Sequence, residues 1–234
     1  MNDDKEAMFT VKRQLVSQRG TVLVCLLLIV GFLLVVAFRS SFDTANSNVN
    51  SWAATINTGT FTPVAEGISF VFDTTALVVI SLVIAAVLFV FHYRRGSVLL
   101  LGAMATDALL VVAFKALVQS PRPLNELIPE TGYSFPSGHV TGSVVFFGVL
   151  TYLAWKHWAS RKVKAATGGF YVAMVVLVGF DRIYLNVHWF SDVVGAALLG
   201  AVVLTFAILV FRYLEATGKF SRLRALLSGH PKST

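Results

Sequence analysis

The chain has 234 residues, of which 56% are hydrophobic and 13% charged, with a formal net charge of +7. Soluble domains carry about 25% charged residues, so the composition excludes an ordinary soluble protein and points to an integral membrane protein. A single cysteine, Cys25, excludes an internal disulfide and a cysteine-based metal site. The basic residues flank apolar runs, which assigns them to membrane topology and anionic headgroups rather than to a nucleic-acid partner.

Lys5, Lys12, Arg13 and Arg19 precede the first apolar run, at residues 21–38. A secretory signal has an apolar core of about 7–15 residues and a small-residue cleavage site. Thr21 to Phe38 is longer, and Val36-Ala37-Phe38-Arg39 is a poor site, so a retained span is expected. A span needs about 20 apolar residues. Five more candidates follow at roughly 75–92, 97–118, 140–155, 165–184 and 191–212, the fourth extending back to Gly138. Backbone groups inside lipid must be satisfied within their own segment, which makes these helices. The expected fold class is all-α, a six-transmembrane-helix bundle forming a single domain over residues 1–234, with a motif-bearing core at about 97–212.

Between the first two spans, Arg39 to Asp73 is too short for a domain. Phe61, Val64, Ile68, Phe70 and Val71, interrupted by Glu66 and Gly67, read as an interfacial amphipathic helix, either a lid or wall for lipid entry or a plain connector lying on the bilayer. In the sixth span Gly195, Ala196, Ala197, Gly200 and Ala201 favour close helix contact inside the bundle over dimerisation. Oligomeric state is not encoded. Ser221 to Thr234 is a basic tail expected to lie on the anionic inner leaflet.

Fifteen of the nineteen Lys and Arg residues fall before the first span, around Arg94 and Arg95, between Lys156 and Lys164, and from Arg212 onward. Only Arg39, Lys115, Arg122 and Arg182 fall on the other side. The positive-inside rule then places both termini in the cytoplasm and the remaining polar clusters on the extracytoplasmic side, in a plasma membrane.

Three clusters carry the chemistry. Lys115 lies at the outer end of the third span and Arg122 seven residues later, between Pro121 and Pro123. If helical, the two share a face; the alternative is a pair of interfacial anchors that keep their charges in water. Pro136-Ser137-Gly138-His139 directly precedes the fourth span. A helix N-terminus offers free N–H groups and a positive dipole end to an anion. Ser137 adds a hydroxyl, Gly138 allows close backbone approach, and His139 is poised to move a proton; the alternative is a simple cap. The third cluster holds Asp181, Arg182, His188 and Asp192. His188 and Asp192, four apart, share a face on a helical turn, and a carboxylate on one imidazole nitrogen orients the other as nucleophile or base; the alternative is a structural His–Asp contact at a helix start. Three cations, two histidines and an anion-binding helix start on one membrane side fit metal-independent phosphoryl transfer. No cofactor is called for. The residues alone leave open which histidine attacks. Asp107, a mid-span acid, reads as a structural group.

Lys-x6-Arg-Pro, Pro-Ser-Gly-His and Arg-x5-His-x3-Asp resemble the three-part signature of the type-2 phosphatidic acid phosphatase superfamily, across residues 115–192. The resemblance implies that His188 attacks phosphorus, Asp192 orients it, and His139 protonates the leaving oxygen and then activates water. It implies that Lys115, Arg122, Ser137, Gly138 and Arg182 hold the phosphate. It also implies a lipid phosphate substrate, a polyprenyl diphosphate such as undecaprenyl diphosphate ahead of phosphatidylglycerophosphate or phosphatidic acid. A non-catalytic lipid-binding or transport protein and a haloperoxidase are the rivals. One departure stands out: the family places serine before the third-motif arginine, and this chain has Asp181, which is expected to turn toward Arg182 and away from phosphate.

Overall fold

In the computed structural model, which describes residues 18–218 and residue 220, the described residues form helices joined by loops, the longest of them from Gln119 to Ser137. Lys5, Lys12, Arg13, Lys219 and the basic tail from Ser221 onward lie outside the described residues. The helices are α1 (Arg19–Ala37), α2 (Asp43–Ile56), α3 (Thr62–Val71), α4 (Thr74–Val90), α5 (Arg94–Val118), α6 (Gly138–His157), α7 (Arg161–Tyr184) and α8 (Phe190–Ala216), with a short 3₁₀ turn at Arg39–Phe42.

Among the described residues, α1, α5, α6, α7 and α8 are each long and apolar enough to cross a membrane. Helix α4 has 17 residues, about 26 Å at 1.5 Å per residue, which is short of a hydrocarbon core of about 30 Å. It continues from α3 across a 47° bend, and the two together are a candidate for a sixth span. The chain is thus a multi-pass membrane protein. Exposed Leu23, Leu26, Leu27 and Leu33 on α1, and Val79, Val83 and Phe89 on α4, form the apolar exterior that a bilayer requires.

Helix α6 is the centre of the bundle. Its residues from Gly138 to Val149 are all buried, and it packs against α4, α5, α7 and α8. Leu77, Leu100, Val145, Phe146, Val149 and Val203 form the inner core. Gly200 is required where α6 meets α8, because a Cβ there would lie 2.8 Å from Val144 Cβ and 3.0 Å from the Thr141 carbonyl. The small-residue stripe of the last span therefore serves packing within the chain.

Alternating helix direction brings the end of α5, the start of α6, the end of α7 and the start of α8 together at one end of the bundle. At the other end Glu215 of α8 pairs with Arg95 of α5 and Lys156 of α6. The 39–73 stretch contains two helices rather than the one expected. Helix α2 packs on α7 and α8; its buried Asn50 reaches the loop between those helices and its buried Asn46 the first turn of α8. The stretch is therefore a brace for that loop as well as a surface element.

Candidate active site

The segment from Gly132 to Pro136 is held from several directions. Helix α5 stops at Val118 and Gln119 takes a left-handed conformation with φ 50°, so Lys115 and Arg122 do not share a helical face as the seven-residue spacing suggested. They converge instead by gripping neighbouring carbonyls: Lys115 Nζ donates to Tyr133 at 2.6 Å, and Arg122 Nε donates to Gly132 at 3.1 Å. Ser134 N donates to the Ser120 carbonyl at 2.8 Å. Phe135 follows, fully buried, stacked on Phe32 with ring centroids 6.0 Å apart. Its ring lies where a side chain at position 195 would project. The Phe135–Pro136 peptide is cis.

This clamp places Ser134 against the third cluster. Ser134 Oγ donates to Asp192 Oδ2 and lies 3.2 Å from His188 Nδ1, while His188 Nδ1 and Asp192 Oδ2 are 3.5 Å apart. Asp192 Oδ2 also accepts the Trp189 N–H at 2.8 Å. Helix α8 begins only at Phe190, so His188 and Asp192 meet because Asp192 caps its own helix start, not because both sit on a helical face. With Nδ1 engaged on this side, Nε2 is the nitrogen left to face the site. Burial pushes the His188 imidazole down to about 4, against the opposing pull of Asp192 and with Arg122 and Lys115 adding to the drop. The ring is therefore neutral at pH 7.

The loop carrying His188 is braced from α2. Asn50 Nδ2 donates to the His188 carbonyl at 3.2 Å and to Asn186 Oδ1 at 2.8 Å, and Asn46 Oδ1 accepts the Ser191 N–H at 2.9 Å. Asn186 has φ 55°, a left-handed conformation that asparagine tolerates. Its amide donates to the Leu124 carbonyl at 2.7 Å and so ties the loop to the 123–135 segment.

Arg182 is fully buried. Its Nε and Nη2 both donate to Asp181 Oδ2, at 3.0 and 2.5 Å, and its Nη1 lies 3.2 Å from His139 Nε2 and 3.3 Å from Glu130 Oε1. Asp181 is thus turned onto its neighbour, as its replacement of a serine required. Removing one member of such a buried pair costs about 3–5 kcal/mol, because the other charge is left uncompensated. Arg122 donates from Nη1 to the Val187 carbonyl at 2.8 Å, next to His188, and from Nη2 to Glu130 Oε2 at 3.4 Å.

His139 lies in the first turn of α6, with Asp73 Oδ1 3.8 Å from its Nε2. Asp73 caps α4 by accepting the Thr75 N–H at 2.7 Å. Ser137 is the residue before α6 and Gly138 its first; both are buried, and Ser137 Oγ makes no hydrogen bond among the described residues. Asp107 sits inside the bundle, against Gly142 of α6.

The structure therefore brings Lys115, Arg122, Ser137, Gly138, His139, Arg182, His188 and Asp192 to one end of the bundle. Sequence reasoning missed Ser134, Glu130, Asn46, Asn50 and Asp73. Ser134 carried the one available signal, a serine two residues before the motif proline; the others are ordinary loop and helix residues, and apart from the Arg122 contact of Glu130 their partners in the site lie far away in sequence.

A family model described as the PAP2 superfamily matches residues 96–216. Phosphatidylglycerophosphatase B of Bacillus subtilis is 29% identical over 166 residues, covering 69% of this chain and 80% of that protein. Undecaprenyl-diphosphatase of Sulfolobus acidocaldarius is 28% identical over 156 residues, covering 62% and 68%. Among solved structures, the crystal structure of a transmembrane PAP2-type phosphatidylglycerolphosphate phosphatase from Bacillus subtilis superposes with a TM-score of 0.73 at 27% identity, covering 79% of this chain and 94% of that one.

Proposed function

The chain belongs to the PAP2 superfamily, and from that premise we propose that it hydrolyses the terminal phosphate of a lipid phosphate or diphosphate through a phosphohistidine, without a metal. The observation that carries this reading is the engaged Nδ1 of a neutral, buried His188, which leaves Nε2 as the nucleophile among three cations. His188 Nε2 forms a bond to phosphorus as the bond from phosphorus to the leaving oxygen breaks, and His139 gives that oxygen a proton. His139 enters this step as the imidazolium; water, losing a proton to the neutral His139 that remains, then attacks the phosphohistidine and releases inorganic phosphate, with His188 and the His139 imidazolium restored. Lys115, Arg122, Arg182, the Ser137 hydroxyl and the N–H groups at the start of α6 neutralise the charge on the phosphoryl oxygens. Asp192 stabilises the charge that develops on His188.

In this reading the site faces away from the cytoplasm, which the distribution of Lys and Arg supports, the membrane is the plasma membrane, and the whole chain is one catalytic domain. An apolar groove of about 340 Å³, lined by residues including Ile56, Phe61, Val64, Ile68 and Phe180, reaches Asp181 beside Arg182. It suits the first part of a lipid tail. Two substrates have specific support. The Bacillus subtilis phosphatidylglycerophosphatases, matched in sequence and in structure, favour phosphatidylglycerophosphate. The archaeal undecaprenyl-diphosphatase and the outward site favour a polyprenyl diphosphate.

The test is phosphate release by detergent-purified protein in excess EDTA, across undecaprenyl diphosphate, phosphatidylglycerophosphate and phosphatidic acid, comparing kcat/KM. His188→Ala is expected to abolish turnover of every member while the protein stays folded. No release from any substrate by the wild-type protein would leave a lipid-binding or transport role, and a strict requirement for added magnesium would overturn the metal-free mechanism.

A further inference from the structure

Glu130 lies in the loop between the first two motifs, and its two carboxylate oxygens are divided between the two motif arginines. Oε1 accepts from Arg182 Nη1 at 3.3 Å and Oε2 accepts from Arg122 Nη2 at 3.4 Å. The same Nη1 of Arg182 meets His139 Nε2, so the carboxylate stands beside the reacting groups and not on a remote edge of either guanidinium.

The remaining donors of these arginines are largely engaged. Arg122 also donates to the Gly132, Thr131 and Val187 carbonyls, and Arg182 spends Nε and Nη2 on Asp181. A guanidinium has five N–H donors. The carbonyls and Asp181 are part of the framework that shapes the site, so the donors on Glu130 are the ones an incoming phosphate can take over. Glu130 itself is suited to give way. It lies in a stretch of largely exposed loop residues, and its backbone N–H is held by the side chain of nearby Glu126 at 3.2 Å, not by a helix.

We infer that Glu130 is a specificity-determining residue: an internal carboxylate that a substrate phosphate must displace from Arg122 and Arg182. The inference rests on the phosphate-binding role given to these arginines above. Its chemistry selects by charge. A tethered carboxylate competes at an effective concentration in the millimolar range or above and carries one negative charge. A phosphate monoester carries about −1.5 to −2 at pH 7, and a terminal diphosphate is at least comparable, so both outcompete it. A phosphodiester headgroup carries a single charge spread over two free oxygens and gains little over the carboxylate already in place. Bulk membrane phospholipids are phosphodiesters, present in large excess over any lipid phosphate. Glu130 keeps them off the arginines, which is specificity obtained by penalising the wrong ligand.

Glu130→Gln tests this, because it keeps the shape and one acceptor oxygen while removing the charge. Wild-type and variant proteins are assayed with phosphatidic acid in detergent micelles at increasing mole fractions of phosphatidylglycerol, a phosphodiester lipid. The expected result is inhibition of E130Q by phosphatidylglycerol at a mole fraction about tenfold lower than for wild type, with a lower KM for phosphatidic acid. An unchanged or weaker inhibition, or a raised KM, would overturn the inference and make Glu130 a prop for the arginines. Should E130Q fail to fold, Glu130→Asp draws the charge back by one methylene and is expected to shift inhibition in the same direction, by a smaller factor; no shift there overturns it equally. A wild-type protein inactive on every lipid phosphate would remove the phosphate site itself, whereas an active wild type with unaltered variant inhibition removes only the role of Glu130.

Discussion

Replacing Ser134 with alanine isolates the link between nucleophile and carboxylate. The hydroxyl donates to Asp192 Oδ2, and its oxygen lies 3.2 Å from His188 Nδ1. A carboxylate only accepts, so the protons have one consistent order: Nδ1–H donates to Oγ, and Oγ–H donates to Oδ2. The serine thereby fixes the tautomer that leaves Nε2 unprotonated. In Ser134→Ala the imidazole N–H retains only the direct approach to Asp192, which is 3.5 Å in the native geometry and beyond a good hydrogen bond. Hydrogen bonds to charged groups are worth about 1.5–3 kcal/mol. Part of this is recovered as Asp192 and His188 close up, though Asp192 Oδ2 is also held by the Trp189 N–H. The net loss expected is about 1.5–2 kcal/mol at the transition state, or roughly a 10–30-fold fall in kcat. KM should change little, because Ser134 binds His188 and Asp192 rather than the phosphate-holding residues. Steady-state phosphate release in detergent, beside a thermal unfolding curve, measures both. A variant within twofold of wild-type kcat, or one that raises KM while keeping kcat, would refute the reasoning.

Burial holds the His188 imidazole at about 4, so it is neutral above that value and takes up a proton as pH falls through it. The acid limb of kcat/KM for the free enzyme attributable to the nucleophile should therefore lie near pH 4, not near the ordinary histidine value of about 6.5; a stopped-time phosphate assay across pH, with folding checked at each point, locates it. Gly195→Ala would place a Cβ 2.6 Å from Phe135 Cζ. Overpacking of this kind costs about 1–3 kcal/mol, and because Phe135 adjoins Ser134, activity is expected to fall along with the melting temperature, whereas an unaltered melting temperature would show that the ring moves aside freely.

Much of the outline was legible in the residue order. The all-helical, membrane-spanning character followed from the length and apolarity of runs, a property each segment has by itself, whereas the second expected span proved to be a bent pair of shorter helices. Lys115, Arg122, His139, Arg182, His188 and Asp192 stood out because charged and titratable groups at the ends of apolar segments are costly without a purpose. Even so, the reasons offered for two pairings did not hold. Lys115 and Arg122 meet by gripping the Gly132 and Tyr133 carbonyls after α5 has ended, and His188 meets Asp192 through a helix cap.

What the sequence by itself determined is the solvent of the chain, its division into helices, and the charged and titratable groups at the ends of apolar segments, since those depend on local composition and short spacings. The tertiary structure alone decided which groups those residues touch. Ser134 reaches His188 across 54 positions, Arg182 reaches Glu130 across 52, and Asn50 reaches Asn186 across 136. Glutamate and asparagine carry no mark in a loop or a short helix, because they are ordinary there, and Ser134 carried only its place before the motif proline. They become a tautomer lock, a competing anion and a brace only when packing around α6 closes the bundle and brings distant segments within hydrogen-bonding reach.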